Sequence, residues 1–415
     1  MNFLNIINFR TYFILSNLIS PLFVTSIVFK RWYIPFNFIP SKLILVIFGV
    51  ILLPFFISFF IRNKEQILKP FSCFILLYLL FVFFLITRTY FSGSNEYFFI
   101  TLTSLIQYPF FALAGYFLSF FKKQTVISIF ILSSVYFVLS FLMCLKGSLF
   151  IHPQSFKSIF GISAKAEYQN INLFLGLFFI SSFIFLFINK YYTTFILFII
   201  ALMTLFFMSL IGGRGSFLVC LIIFPLMYLS FLSKKNKIIS LVVFFICLFI
   251  AFFWFSDKSI TLWRVGILFT SDDPSSRKTL FLEAIKLFFL TPKTFLFGAG
   301  VGGFQEYYGY ASLGQMTYPH NFILELLCES GIIGFLLFIG MFYFPYKILV
   351  KKNKDTVAYN KYSILNLYIF LFIFIINNFS GSISSLFILI TLIFSMFPTQ
   401  QVAYNKVLIK TLPSG

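Results

Sequence analysis

The chain has 415 residues, of which 60% are hydrophobic and 10% charged, with 69 phenylalanines and a mean hydropathy of +1.00. Soluble globular domains carry about a quarter charged residues, so this composition excludes one and points to a membrane protein. The net charge of +20 is dispersed between apolar runs and forms no single stripe, which argues for membrane topology and anionic headgroups and against nucleic acid.

A spanning helix needs about 20 mostly apolar residues. Twelve stretches qualify: 11–29, 43–61, 71–87, 98–121, 126–146, 170–189, 191–211, 216–232, 237–256, 331–350, 363–379 and 381–398. They are too long, and too apolar on both faces, for barrel strands. The predicted fold is therefore an all-α integral membrane protein, a single domain built as a polytopic bundle of about 12 transmembrane helices. The first stretch contains Pro21 and no small-residue cleavage site follows it, so it is expected to be retained. Cys73, Cys144, Cys220, Cys247 and Cys328 lie in or beside apolar runs without metal-like spacing and read as small buried hydrophobes. Neither metal nor cofactor is expected.

Lysine and arginine collect after the second stretch (Arg62, Lys64, Lys69), the fourth (Lys122, Lys123), the eighth (Lys234, Lys235, Lys237) and the tenth (Lys347, Lys351, Lys352, Lys354, Lys361), and again at Lys406 and Lys410. The positive-inside rule makes those loops and both termini cytoplasmic. Lys30, Arg31 and Lys42, after the first stretch, run against this pattern. The assignment turns residues 257–330, between the ninth and tenth stretches, into a long external loop. Seven of the eleven acidic residues lie there: Asp257, Asp272, Asp273, Glu283, Glu306, Glu325 and Glu329. A loop of that length is uncommon unless it is functional or has structure of its own.

Within it, Asp273-Pro274 followed by SSRKTLFLEAIKLFFL predicts a capped amphipathic helix stopped by Pro292. Its apolar positions, Leu280, Phe281, Ile285 and Phe288, suit the membrane surface or the bundle wall. FGAGVGG then places Gly298, Gly300 and Gly303 at dinucleotide-binding spacing, but no βαβ unit surrounds them. A tight turn that brings backbone amides close to another group is the better expectation, with an anion held by those amides as a nest the lesser alternative.

GGRGS puts Arg214 at the boundary between the seventh and eighth stretches, flanked by Gly212, Gly213 and Gly215. A cation at such depth marks a ligand path or snorkels to the headgroups, and the glycines favour close approach of a bulky anion. His320 follows Pro319 and precedes Asn321, at the start of a helix leading into the tenth stretch, where a base near neutral pH is one role and a polar helix start the other. Glu325 and Glu329 share one face of that helix and repel unless a cation such as Arg277, Lys278 or Arg264 lies near, so an architectural role is expected. His152, in a shorter loop, has no comparable setting.

GGRGS, SSRKTLFLEAIKLFFLTPKTFLFGAGVGGF and PHNFILELLCESGIIGF, in that order within this topology, resemble the bacterial O-antigen polymerase and O-antigen ligase superfamily over roughly residues 195–350. The resemblance implies a GT-C-like membrane glycosyltransferase that takes a glycan from undecaprenyl pyrophosphate at the outer side of the inner membrane, without metal or nucleotide sugar. Its functional positions fall on Arg214, Arg277 and His320, with Arg264 an alternative at the second and Asn321, Glu325, Glu329, Gly213 and Gly215 in support. Implied partners are the lipid-linked glycan donor and acceptor, membrane lipids and a chain-length regulator. The PHNFILELLCESGIIG form resembles polymerases more than ligases. A lipid-linked glycan flippase is the competing class, disfavoured by the absence of an internal repeat and by the long loop. Another GT-C type would be expected to carry an acidic residue in its first external loop, and residues 30–42 contain none.

Overall fold

The computed structural model describes residues 9–28, 56–61, 63–92, 96–145, 167–187, 191–211, 214–231, 242, 246, 277–308, 318–352, 361–380 and 386–398. Helices make up almost all of this, and no strand occurs among the described residues. In chain order they are α1 (Phe9–Val28), α2 (Lys64–Tyr90), α3 (Glu96–Leu105), α4 (Tyr108–Ser119), α5 (Lys122–Leu145), α6 (Glu167–Ser181), α7 (Tyr191–Ile211) and α8 (Arg214–Phe231). Then come α9 (Arg277–Phe289), α10 (Pro292–Phe297), α11 (Gly303–Tyr308), α12 (Phe322–Lys352), α13 (Lys361–Ser380) and α14 (Phe387–Ser395). Four of them, over Lys64–Tyr90, Lys122–Leu142, Phe322–Lys351 and Lys361–Asn378, are long and apolar enough to cross a membrane, and shorter apolar stretches occupy Ile19–Val28, Ile171–Ile184, Ile199–Ile211 and Gly215–Tyr228. The expected spans at 43–61 and 237–256 fall largely outside the described residues.

Two predicted spans differ from expectation. Residues 98–121 form two helices, α3 and α4, because Pro109 enters the first turn of α4 and cannot donate a hydrogen bond back to the preceding turn. The last span is the short α14, which compensates by packing its length into α4. There Gly115 has no side chain to hold off Thr391 and Phe394, and the Thr391 hydroxyl donates to the Phe111 carbonyl at 3.2 Å. Helices in lipid gain no hydrophobic driving force from meeting each other and associate through van der Waals contact. The phenylalanines supply it: Phe59 touches Phe117 and Phe120 with centroids at 5.0 and 5.1 Å, Phe74 meets Phe394 at 4.9 Å, and Tyr136 stacks on Phe174 at 4.4 Å.

Ring contacts also fix which way each helix runs. Phe74 and Phe81 of α2 meet Phe342 and Phe338 of α12, so these two are antiparallel, and Phe322 at the start of α12 meets Phe374 near the end of α13. Tyr346 and Tyr116 both reach Phe397, and Lys123 Nζ lies 6.0 Å from the Tyr362 ring, which gathers the bottom of α12, α4, α5 and α13. In the helices so oriented, Lys64, Lys69, Lys122, Lys123, Lys347, Lys351, Lys352 and Lys361 share that lysine end with the single acid Glu65. Among the described residues the opposite end, called here the loop end, carries Arg88, Arg214, Arg277, Lys278, Lys286 and Lys293 together with Glu96, Glu167, Glu283, Glu306, Glu325 and Glu329.

A methyl group at Gly115 overlaps the Thr391 carbonyl and the Phe394 Cβ. Gly115→Ala is therefore expected to cost about 1–3 kcal/mol and to lower the thermal midpoint of the detergent-solubilised protein, while Gly340→Ala, whose new Cβ meets only ordinary contacts at 3.5 Å, leaves the midpoint in place.

Candidate functional site

The loop-end helices assemble on the first turns of α12. The buried stripe of α9 is Leu280, Ala284 and Leu287, packed on Phe304 of α11 and Cys328 of α12. The stripe expected from sequence is rotated: Leu280 is on it, but Ile285 is 41% exposed, because the small Ala284 is what admits α9 close to α12. Pro292 does more than stop α9. It opens α10, whose start is closed by a reciprocal capping box between Thr291 and Thr294.

Helix α12 is broken at Gly331, with φ 64° and ψ −172°. The break removes the helical donors that the carbonyls of Cys328 and Glu329 would otherwise use. The glycine turn replaces them: the Ala299 N–H donates to the Cys328 carbonyl and the Gly300 N–H to the Glu329 carbonyl, each at 2.8 Å. The Gly302 N–H then donates to Glu329 Oε1 at 3.0 Å, and the Val301 N–H to Thr89 Oγ1 at 3.0 Å. Gly298, Gly300 and Gly302 all have positive φ, and a Cβ at Gly298 would overlap the Glu329 carbonyl, so the backbones meet only because glycine stands there. The tight turn does bring its amides close to another group. That group is the chain's own Glu329 carboxyl, fully buried, whose Oε1 is held by a backbone amide and not by a basic side chain of the loop.

The short helix 322–330 above the break carries the remaining candidates. Asn321 accepts the Leu324 N–H on its Oδ1 at 3.0 Å and so caps the helix, a structural role. His320, directly before it, adopts φ 56°, uncommon for a residue with a Cβ and a strain retained only where surroundings dictate it. Its ring lies against Tyr318 with centroids 4.1 Å apart, and its Nδ1 is buried without a hydrogen-bond partner. Burial, and then the Arg277 guanidinium, push the His320 imidazole down to about 4. Burial and the Glu325 carboxylate raise the Tyr318 phenol, with Arg277 opposing them. Arg277, Tyr318, His320 and Glu325 thus form one electrostatic cluster.

Arg214 is the first residue of α8, three positions after α7 ends at Ile211. The Leu226 carbonyl of α8 accepts the Tyr368 hydroxyl at 3.1 Å, and twelve residues of helix carry the chain from there to Arg214, about 18 Å. Along α13, Phe374 beside Phe322 lies about 9 Å above Tyr368. The start of α8 therefore sits at the loop end, within about 10 Å of the level of Phe322. A Cβ built on Gly215 meets nothing within 4 Å, so the backbone there faces open space. Arg264 and Gly213 lie outside the described residues.

Three groups at this end escape a reading from spacing alone. Arg88 ends an apolar run and donates from Nε to the Gly298 carbonyl at 2.8 Å; a cation at a helix end in lipid was its only sequence signal. Tyr318 had none. Gln305 is buried with both amide atoms unpartnered, and it looked like an ordinary loop residue.

Residues 197–339 match the model of the O-antigen ligase family, a stretch that contains Arg214, the glycine turn, Arg277 and His320. The match lends nothing to a flippase. No curated protein matches the chain.

Glu329→Ala deprives the buried Gly302 N–H of its acceptor and is expected to destabilise the protein by about 1–3 kcal/mol, whereas Glu329→Gln keeps a carbonyl oxygen there and recovers most of the loss, as read from thermal midpoints in detergent.

Proposed function

We propose, from the match of residues 197–339 to the O-antigen ligase family, that this membrane protein is a glycosyltransferase and, specifically, an O-antigen polymerase. It joins undecaprenyl-pyrophosphate-linked repeat units at the periplasmic face of the inner membrane. The observation that supports the reading is the half-buried His320, strained in its backbone and set against Tyr318 with Nδ1 unpartnered, within electrostatic reach of the Arg277 guanidinium. Arg214 starts its helix at the same end of the bundle. The lysine-rich opposite end supports the orientation, since positive charge favours the cytoplasmic side.

In this mechanism Arg277 and Arg214, with Arg264 available from the same loop, hold the donor pyrophosphate. The acceptor sugar hydroxyl attacks the anomeric carbon, the bond from that carbon to the pyrophosphate oxygen breaks, and the hydroxyl proton passes to His320. Negative charge grows on the departing pyrophosphate, and preorganised guanidiniums in a water-poor site stabilise that growth more than they stabilise the ground state. A single displacement inverts the anomeric centre. Glu325 and Glu329 act through the scaffold, and a chain-length regulator is the expected protein partner.

The depressed pKa of His320 gives the mechanism a sign. Below its ordinary value of about 6.5 the free imidazole stays unprotonated until pH nears 4. Part of that depression comes from Arg277, and a bound pyrophosphate offsets the guanidinium charge, so the base strengthens when donor is in place. The acid limb of kcat/KM, which reports free protein, is expected near 4, and that of kcat higher. Limbs that coincide at about 6.5 contradict a buried base.

Ligase is the second reading, favoured by the family's own description. Lipopolysaccharide from a deletion strain separates the two: core capped with single repeats identifies a polymerase, uncapped core a ligase. His320→Ala restored to that strain is expected to yield no polymer with normal protein in the membrane, and ladders of ordinary length overturn the assignment of the base.

A further inference from the structure

The last turn of α2 grips the glycine turn at three successive points. Arg88 Nε donates to the Gly298 carbonyl at 2.8 Å, Thr89 Oγ1 accepts the Val301 N–H at 3.0 Å, and Ser92 Oγ packs into the space where Gly300 has no side chain. Thr89 is itself anchored to the Leu85 carbonyl at 2.8 Å. Through residues 299–302 this grip continues to Cys328 and Glu329, the last turn of helix 322–330. Arg88 is half-buried, and among the described residues no carboxylate pairs with it. An arginine kept at a membrane-helix end without an anionic partner has another task.

We propose that Arg88 is a positioning residue for His320: its Nε–H clamps the glycine turn, the turn fixes the tilt of helix 322–330 at the Gly331 break, and the tilt sets His320 against Arg277.

The lever arm makes the clamp matter. Between Gly331 and His320 lie the nine helical residues 322–330, about 13 Å of helix, so a tilt of about 10° at the break moves the imidazole by about 2 Å. A displacement of about 1 Å at a reacting group costs on the order of a hundredfold in rate. Gly331 has no helical φ and ψ to resist such a tilt, and the turn is packed directly against it: a Cβ at Gly331 would lie 2.5 Å from the Leu296 carbonyl and the Gly298 nitrogen. The single direct bond from α2's side chains to Gly298 is that of Arg88.

The clamp rests on geometry, while its effect on catalysis rests on the reading of His320 as the base, and one set of variants tests both. A glutamine amide nitrogen hangs from Cδ, as Arg88 Nε does, so Arg88→Gln keeps the clamping N–H and removes the charge. Arg88→Ala removes both. The full-length protein in nanodiscs, labelled on histidine and carrying His152→Gln so that His320 gives the only imidazole signal, is titrated by NMR. The groups bearing on His320 are Arg277 from α9 and Tyr318 beside it, with Glu325 of α12 acting on Tyr318.

In Arg88→Ala the His320 titration is expected to move from about 4 toward 6.5 as the ring leaves Arg277 and meets water, and in Arg88→Gln to stay near 4. Turnover of a lipid-pyrophosphate-linked glycan should fall about a hundredfold in kcat for the alanine variant, with KM little changed. A merely structural role lowers the amount of folded protein and leaves the titration in place. An unshifted His320 in Arg88→Ala overturns the proposal, as does an equal rise of KM in both variants, which marks Arg88 as a phosphate contact. Should Arg88→Ala fail to fold, Thr89→Val, which deletes the neighbouring clamp bond, carries the same titration. A shifted His320 together with an active His320→Ala protein keeps the clamp and removes the base.

Discussion

A carboxyl group buried among helices and held on one oxygen by a backbone amide ties the loop end together. Glu329 sits at the last turn before the break in α12, and its Oε1 takes the Gly302 N–H. A buried carboxylate without donors is costly, and so is a helix end whose carbonyls have lost their partners. The glycine turn serves both places at once, because three of its glycines adopt positive φ and bring the amides of Ala299 and Gly300 against the carbonyls of Cys328 and Glu329, and that of Gly302 against one oxygen of the Glu329 carboxyl. Only that arrangement lets a chain return from α10 into α11 while the tenth apolar stretch begins a few ångströms away. The helix carrying His320 starts from this knot, and so does the wall formed by α9.

The membrane setting explains why the rest of the molecule is so monotonous. Lipid tails are as apolar as the helix surfaces, so the bundle is sorted by ring packing and by close approach at small residues such as Gly115 and Gly176, where the Phe372 ring fills the missing side chain. Charge is used sparingly and sorted by end. Among the described residues of these helices the lysine end carries one glutamate, whereas the loop end carries six basic residues and six glutamates. An end with balanced charge can hold an extra anion on a few chosen guanidiniums. A uniformly basic surface would bind it anywhere.

Much of this was legible in the chain. Apolar runs of about 20 residues announce helices because an unpaired backbone has no place in lipid, and α2, α5, α7 and α13 appear close to where those runs lie. The helix from Arg277 was readable from its periodicity, and the entry of α12 at Asn321 from a capping residue before an apolar run. What periodicity could not reveal is who faces whom. The rotated stripe of α9 follows from Ala284, a residue with little hydrophobic signal, and the split between α3 and α4 follows from one proline inside a run that otherwise reads as continuous. Arg88 and Glu329 are tied together through Gly298 and Gly302, more than two hundred positions along the chain from α2, and no local pattern records such a tie.

The positioning of His320 is electrostatic as much as steric. An imidazole in water titrates near neutral pH and would be partly protonated, hence useless as a base, at a membrane surface whose anionic lipids attract protons. Burying the ring beside Arg277 removes that fraction, at the expense of basicity. The two requirements conflict for a free histidine and are reconciled if the depressing charge is the one that the substrate covers. A guanidinium that binds a pyrophosphate lends its field to the phosphate and no longer opposes a proton on the imidazole. On the proposed reading the same side chain would keep the base deprotonated while the site is empty and let it strengthen once the donor has arrived, tying proton transfer to donor binding by charge alone.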